Sequence, residues 1–84
     1  MRELDSLTNT IYTFVKEEMN HSNDFDVSRD LVESGIVDSM GILGLIVFLE
    51  KEFGIEISLG DVNAENFAQV GTIATYVKKR MFPA

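Results

Sequence analysis

An 84-residue chain with 45% hydrophobic residues has material for one small core. A domain of this size buries only about 60% of the surface it exposes when unfolded, which leaves no room for a catalytic cleft between two domains. The formal net charge of −7 disfavours nucleic acid, and the lack of any cysteine excludes a disulfide framework, a thiolate metal site and a cysteine nucleophile.

The chain is charged from Arg2 onward, with no apolar leader stretch, and its longest apolar run, residues 42–49, is too short to span a bilayer and contains Gly44. The expectation is a soluble, cytoplasmic monomer forming one domain over residues 1–84. Residues 4–19 predict the first helix. Leu4, Leu7, Ile11, Phe14, Val15 and Met19 recur at three- and four-residue spacing and form one core-facing stripe, with Asp5 and Ser6 suited to the first turn.

Residues 20–38 form a long connection beginning Asn20-His21-Ser22-Asn23, and loops of this length are often functional. Phe25, Val27, Leu31, Ile36 and Val37 are expected to pin it onto the bundle. Asp24, Asp26, Ser28 and Asp30 invite a calcium-loop reading. It fails on spacing, because Arg29 stands where the sharp-turn glycine is needed and Gly35 where the bidentate glutamate belongs. His21, the only histidine, has no acid–base or metal constellation around it and reads as a loop residue.

The stretch Gly35-Ile36-Val37-Asp38-Ser39-Met40-Gly41 organises the rest. A turn and two apolar residues lead into Asp38 and Ser39, and apolar-rich sequence runs on to Phe53, so Ser39 is expected to be the N-cap of a helix over residues 39–53. Helix N-termini carry orphan N–H groups and the positive end of the dipole, and both favour a phosphate. A serine there can hold a phosphate-linked group, although an isolated Asp-Ser before a helix is usually an ordinary cap.

At 100° per residue, Ile42, Leu45, Ile46, Leu49 and Phe53 fall on one side of this helix. Met40, Gly44, Val47 and Lys51 fall opposite, with Gly41 and Phe48 near the edge. The second face belongs either to a helix buried on two sides or to a partner-docking surface. Gly54 suits the left-handed C′ position. Ile55 and Ile57 should face inward and Glu56 outward, with Leu59 and Val62 as further apolar anchors.

A short helix over residues 64–67, capped by Asn63, and a last helix from about residue 72 to 81 complete the pattern. The last helix carries Ile73, Val77 and Met81 in one stripe, flanked by Ala74 and Tyr76, and Pro83 follows it. Lys78, Lys79 and Arg80 lie near its C-terminal end, where cations suit the dipole. Charge is uneven: residues 24–65 hold ten acids against Arg29 and Lys51, while the last 19 residues carry three cations. Such a surface is either simply solvated or attracts partners presenting Lys or Arg.

The run Leu31-Val32-Glu33-Ser34-Gly35-Ile36-Val37-Asp38-Ser39-Met40, followed by Leu49-Glu50-Lys51-Glu52-Phe53-Gly54-Ile55-Glu56-Ile57, resembles an acyl carrier protein, and the resemblance covers nearly the whole chain. It implies an all-α, four-helix bundle of three main helices and a short third one, with a long loop between helices 1 and 2. In that family the serine of an Asp-Ser-Leu/Met motif is esterified with 4'-phosphopantetheine from coenzyme A. The resemblance therefore makes Ser39 the attachment residue, Asp38 a recognition residue for a phosphopantetheinyl transferase, and Met40, Val47 and Phe48 docking residues. The thiol of the arm would supply the thioester chemistry that a chain without cysteine lacks.

The implied function is a carrier, not an enzyme, that receives acyl or aminoacyl groups from a loading ligase or transferase and delivers them to downstream enzymes. No catalytic or metal constellation stands in its place. Gly41 and Gly44 occupy positions where fatty-acid carriers typically have acids, and Lys51 falls in what is usually a Glu-rich run. The form Asp-Ser-Met-Gly is more similar to free-standing carriers of specialised pathways, including D-alanyl and other aminoacyl carriers, and to peptidyl-carrier domains. The alternatives are a fatty-acid or polyketide carrier and, in a different class, an unmodified helical docking module.

Overall fold

In the computed structural model the described residues are 6–82, and Leu4, Asp5 and Pro83 lie outside them. Four α-helices follow in order: α1 (Ser6–Met19), α2 (Ser39–Phe53), α3 (Ala64–Phe67) and α4 (Val70–Met81). No strand occurs among the described residues, so the all-α four-helix expectation holds. α1 buries Ile11 and Val15 completely, and Leu7, Phe14 and Met19 pack against the core as the apolar spacing requires.

The chain leaves α1 through two consecutive non-glycine residues in the left-handed region, His21 (φ 52) and Ser22 (φ 63). The Asn20 N–H donates to the Lys16 carbonyl at 3.2 Å as the helix period requires, and the left-handed His21 brings the Ser22 N–H onto the same carbonyl at 3.0 Å. The long connection is then tied down at both ends. Near α1, Tyr12 stacks on Phe25 at 4.6 Å, its hydroxyl accepts from the Phe25 N–H and donates to Asp24, and Lys16 pairs with Asp24 at 3.1 Å. Near α4, Gly71 N–H donates to Val27 C=O (3.2 Å), Leu31 N–H to Ala68 C=O (2.7 Å) and Val37 N–H to Leu31 C=O (2.9 Å). Leu31 and Val37 are buried, and Phe25, Val27 and Ile36 pack against the core. All five expected pins hold.

α2 ends as its sequence dictates. Gly54 adopts φ 65 and its N–H donates to Glu50 C=O at 3.0 Å. Ile55 and Ile57 pack against the core with Glu56 exposed between them, and the Glu50 carboxylate accepts the Ile57 N–H at 2.9 Å. The next segment departs from expectation. Residues Leu59–Asp61 form a 3₁₀ turn, and Leu59 is 84% exposed rather than an anchor. Asp61 anchors the turn instead, accepting a 2.8 Å hydrogen bond from the buried Tyr76 hydroxyl.

Asn63 caps α3 by accepting the Asn66 N–H at 3.0 Å. α4 starts two residues earlier than its hydrophobic period indicates. Val70, fully buried, is its first residue, and Thr72 completes the N-terminal cap by accepting the Gln69 N–H and donating to the Gln69 carbonyl. The core draws on every element: Ile11 and Val15 from α1, Leu45 and Leu49 from α2, Phe67 from α3, and Val70, Ile73, Ala74, Tyr76 and Val77 from α4.

The two glycines inside α2 have different surroundings. A Cβ on Gly41 would meet Asp38 Oδ1 and Val37 Cγ1, each at 3.3 Å, whereas one on Gly44 would meet nothing within 4 Å. Gly44→Ala should therefore raise the unfolding free energy by about 1 kcal/mol, the ordinary helix-propensity gain. Gly41→Ala should gain clearly less, and Gly54→Ala should lose stability because its φ is positive. Urea unfolding of the three variants checks the order.

The loop anchors also set a pH response. The hydrogen bond and charge of Lys16 hold the Asp24 carboxyl below its ordinary value, and the Ser28 hydroxyl and N–H do the same for Asp26. A depressed native pKa gives stability that is present above the ordinary carboxylate value, about 3.9, and is lost as pH falls through the lower native one. Asp24→Asn should thus melt below the parent at pH 6, with the gap closing as the pH falls below the carboxylate range. A gap of constant size across a pH series of melting curves would show that the ion pair is not its source.

Candidate functional site

The site is the junction of the long connection with α2, and the residue that caps the helix is Asp38. Asp38 has extended backbone (φ −99, ψ −176), and its Oδ1 accepts the Gly41 N–H at 2.7 Å while its carbonyl accepts the Ile42 N–H at 3.0 Å. This corrects the assignment of Ser39 as N-cap. Ser39 is the first residue in the helix, one position later, because the longer Asp38 carboxylate reaches the third helical N–H and Ser39 already has helical backbone. Freed of capping, the Ser39 hydroxyl is exposed and has no hydrogen-bond partner among the described residues. The capping role that the sequence assigns to the serine belongs to its neighbour.

The backbone that presents Ser39 is fixed by short-range bonds. Asp30 Oδ1 accepts the N–H groups of Val32 (3.1 Å) and Glu33 (2.8 Å), Gly35 turns the chain at φ 82, and Ser34 Oγ donates to Leu31 C=O at 3.3 Å. Val37, 1% exposed, then anchors the residue next to the cap. The first-turn N–H groups of α2 and its dipole make this exposed hydroxyl a place where an attached phosphodiester is electrostatically favoured.

Three large apolar side chains of α2 stand outside the core: Met40 (72% exposed), Leu43 (54%) and Val47 (52%), with Val32 of the preceding loop also exposed at 55%. Gly44 and Lys51 are exposed on the same face. Leu43 is the member of this face that the sequence reading missed. The helical projection held the signal, since Leu43 lies 40° from Val47 at 100° per residue. Phe48 lies elsewhere. It is half-buried and stacks on Phe14 of α1 at 3.9 Å between ring centroids, 11° from parallel, so it closes the α1–α2 seam.

A cleft of about 370 Å³ opens beside the first turn of α2, lined by apolar Val32, Ile42, Val62 and Phe67 and by the carboxylates Asp30 and Glu33, among others. Among the described residues no group of three or more His, Cys, Asp or Glu side chains is placed to hold a metal ion. His21 is exposed in its turn.

The family described as "Phosphopantetheine attachment site" matches residues 9–77, a span that includes Ser39, all of α2 and α3 and most of α1 and α4. A D-alanyl carrier protein of Streptococcus suis (strain 98HAH33) is 29% identical over 77 residues, covering 92% of this chain and 92% of the relative. An acyl carrier protein of Thermotoga maritima is 26% identical over 76 residues, covering 84% of this chain and 91% of the relative. Among solved structures, a chain in one described as "Crystal structure of FAD-dependent dehydrogenase" superposes with a TM-score of 0.73 at 26% identity, covering 80% of this chain and 97% of that one.

Because Asp38 supplies the cap, Asp38→Ala should cost about 1 kcal/mol of stability, while Asp38→Asn, which keeps an accepting oxygen, should cost only a few tenths. Ser39→Ala should be nearly neutral. Thermal unfolding of the three variants decides which residue caps the helix, and a loss at Ser39 matching that at Asp38 would return the cap to the serine.

Proposed function

This chain belongs to the phosphopantetheine attachment-site family, and we propose that Ser39 is the residue that carries the group. The covalent cofactor of the family is 4'-phosphopantetheine, and its members are carriers that work with partner enzymes and are not themselves catalysts. The observation that carries the assignment is an exposed, unpartnered hydroxyl on the first residue of α2, beside a carboxylate already committed to the cap. The residues fit the group: nothing in the fold consumes the Ser39 hydroxyl, and the helix N-terminus favours the charge of a phosphodiester.

Once attached, the arm supplies a terminal thiol for thioesters. This chain's own residues hold its root: Asp38 keeps the first turn wound, Val37 locks the approach, and Ser39 provides the oxygen. In the loading reaction the Ser39 oxygen bonds to the phosphorus bearing the pantetheine arm of coenzyme A, the bond to the leaving nucleotide phosphate breaks, and the serine proton leaves. A phosphopantetheinyl transferase carries this out, reading Asp38 beside the acceptor.

The reading extends to a free-standing, monomeric carrier of acyl or aminoacyl groups in a specialised cytoplasmic pathway, charged by a loading ligase or transferase. Among the described residues no helix is long and apolar enough to cross a membrane. Docking uses the face of Met40, Leu43 and Val47, with Phe48 behind it in the seam. The scarcity of acids on this face favours apolar partner surfaces over the basic patches that grip fatty-acid carriers. A fatty-acid or polyketide carrier is the second reading, and there acids placed at 41 and 44 should improve exchange with fatty-acid enzymes.

Incubating the apo chain with coenzyme A and a broad-specificity phosphopantetheinyl transferase should add one phosphopantetheinyl group by intact mass, and Ser39→Ala should add none. A folded parent that stays unmodified, beside a control carrier modified in the same tube, would leave the unmodified docking module as the better description.

A further inference from the structure

Resting on that carrier reading, we infer that Asp30 is a positioning residue for the modification of Ser39. It stands nine residues before the acceptor and acts through the turn that leads into α2.

The first turn of α2 depends on the segment ahead of it. The buried residues of the helix, Leu45 and Leu49, begin more than one turn after Ser39, with only the partly buried Ile42 between. The preceding segment closes on itself. Asp30 Oδ1 accepts the Val32 N–H at 3.1 Å and the Glu33 N–H at 2.8 Å, and the Asp30 carbonyl accepts the Ser34 N–H at 3.1 Å. One residue thus holds three N–H groups of the turn, the role that an N-cap has in a helix. Gly35 N–H then donates to Val32 C=O and Val37 N–H to Leu31 C=O, and the buried Val37 leads straight into the Asp38 cap.

The Asp30 carboxylate has no share in the tie to the core. The bond from Leu31 N–H to Ala68 C=O and the burial of Leu31 and Val37 hold the segment without it. What it adds is register. Among the described residues it is the only acceptor for the Val32 and Glu33 N–H groups, so its loss frees these two residues to turn. The Ser39 oxygen must meet phosphorus in line with the departing nucleotide phosphate, and a displacement of about 1 Å can slow such a transfer by as much as ~100-fold.

The test compares the parent with three variants as substrates of a broad-specificity phosphopantetheinyl transferase at saturating coenzyme A, with rates read by intact mass over a range of chain concentrations. Asp30→Ala should lose about tenfold in kcat with KM nearly unchanged, because the docking face of α2 is untouched. All of it should still be modified at long times. Asp30→Asn keeps an accepting oxygen at the same reach without the charge and should react at the parent rate. Asp30→Glu keeps the charge but moves the oxygen, and should be as slow as Asp30→Ala. In ¹⁵N-labelled chains the amides of Val32 and Glu33 should shift in the slow variants while those of α4 stay in place. An Asn variant as slow as the Ala variant would show that the enzyme reads the charge directly. A loss confined to KM would assign Asp30 to docking, and equal rates in all four chains would show that the turn has no bearing on the acceptor. Each of these overturns the inference and leaves Ser39 as the carrier residue. A parent that stays unmodified beside a modified control carrier removes the carrier reading and the inference with it, and mass alone distinguishes that failure from the others.

Discussion

The hydrogen bond from Leu31 N–H to Ala68 C=O, 2.7 Å long and set beside a fully buried Leu31 side chain, is the constraint on which the working end of the molecule depends. The connection from α1 to α2 runs for nearly twenty residues without a regular element. Left to itself, such a segment would place Ser39 anywhere within a wide range. Pinning Leu31 to the junction of α3 and α4, and folding Val37 back onto the Leu31 carbonyl, fixes the entry to α2 relative to the core. Buried backbone donors and acceptors must be paired, so the two apolar anchors and the two backbone bonds reinforce each other. The cleft lined by Asp30, Val32 and Phe67 is a by-product of the same tether, because it forms where the pinned loop meets α3.

The exposed face of α2 shows a different balance. Four large apolar side chains stand in solvent around the start of the helix in a chain of net charge −7, and the helix interior tolerates a glycine at 44 that no packing demands. Stability alone would fill that position with alanine. An unpacked glycine flanked by Met40, Leu43 and Val47 leaves room for another backbone to approach closely, as the proposed docking through this face would use. Gly41 is a separate case, because its missing side chain makes room for the capping carboxylate.

Much of this architecture was legible in the amino-acid order. The α2 boundaries, the Gly54 terminator, the Asn63 cap and the five loop anchors follow from apolar periodicity and cap chemistry, which are local signals. What was misread depended on competition between neighbours or on tertiary contacts. Asp38 and Ser39 are both good caps, and only backbone geometry decides between them. The start of α4 is set by the Gln69–Thr72 cap rather than by the apolar stripe, and Leu59 lost its inward place to Asp61, whose partner Tyr76 is fifteen residues away. Phe48 needed the position of Phe14 to be placed in the seam. The family was legible from the motif around Ser39, whereas the cleft beside it was not, since its lining comes from three separate stretches of chain.

If Ser39 is the acceptor, as proposed, its separation from the cap bears on how a carrier can function. Had Ser39 been the N-cap, attaching a bulky phosphodiester to its oxygen would have burdened the atom that holds the first turn, and the modified and unmodified chains would differ at the start of α2. With Asp38 bonded to Gly41 N–H at 2.7 Å, the turn is closed by a group that the modification does not touch. A group attached at Ser39, as proposed, would be added to a helix whose end is already satisfied, and its negative charge would meet a dipole still intact. On the proposed reading, the same fold would be offered first to a modifying enzyme and afterwards to those that load and unload the carrier. That constancy is what a protein needs if its partners are to read it by surface shape while its cargo changes.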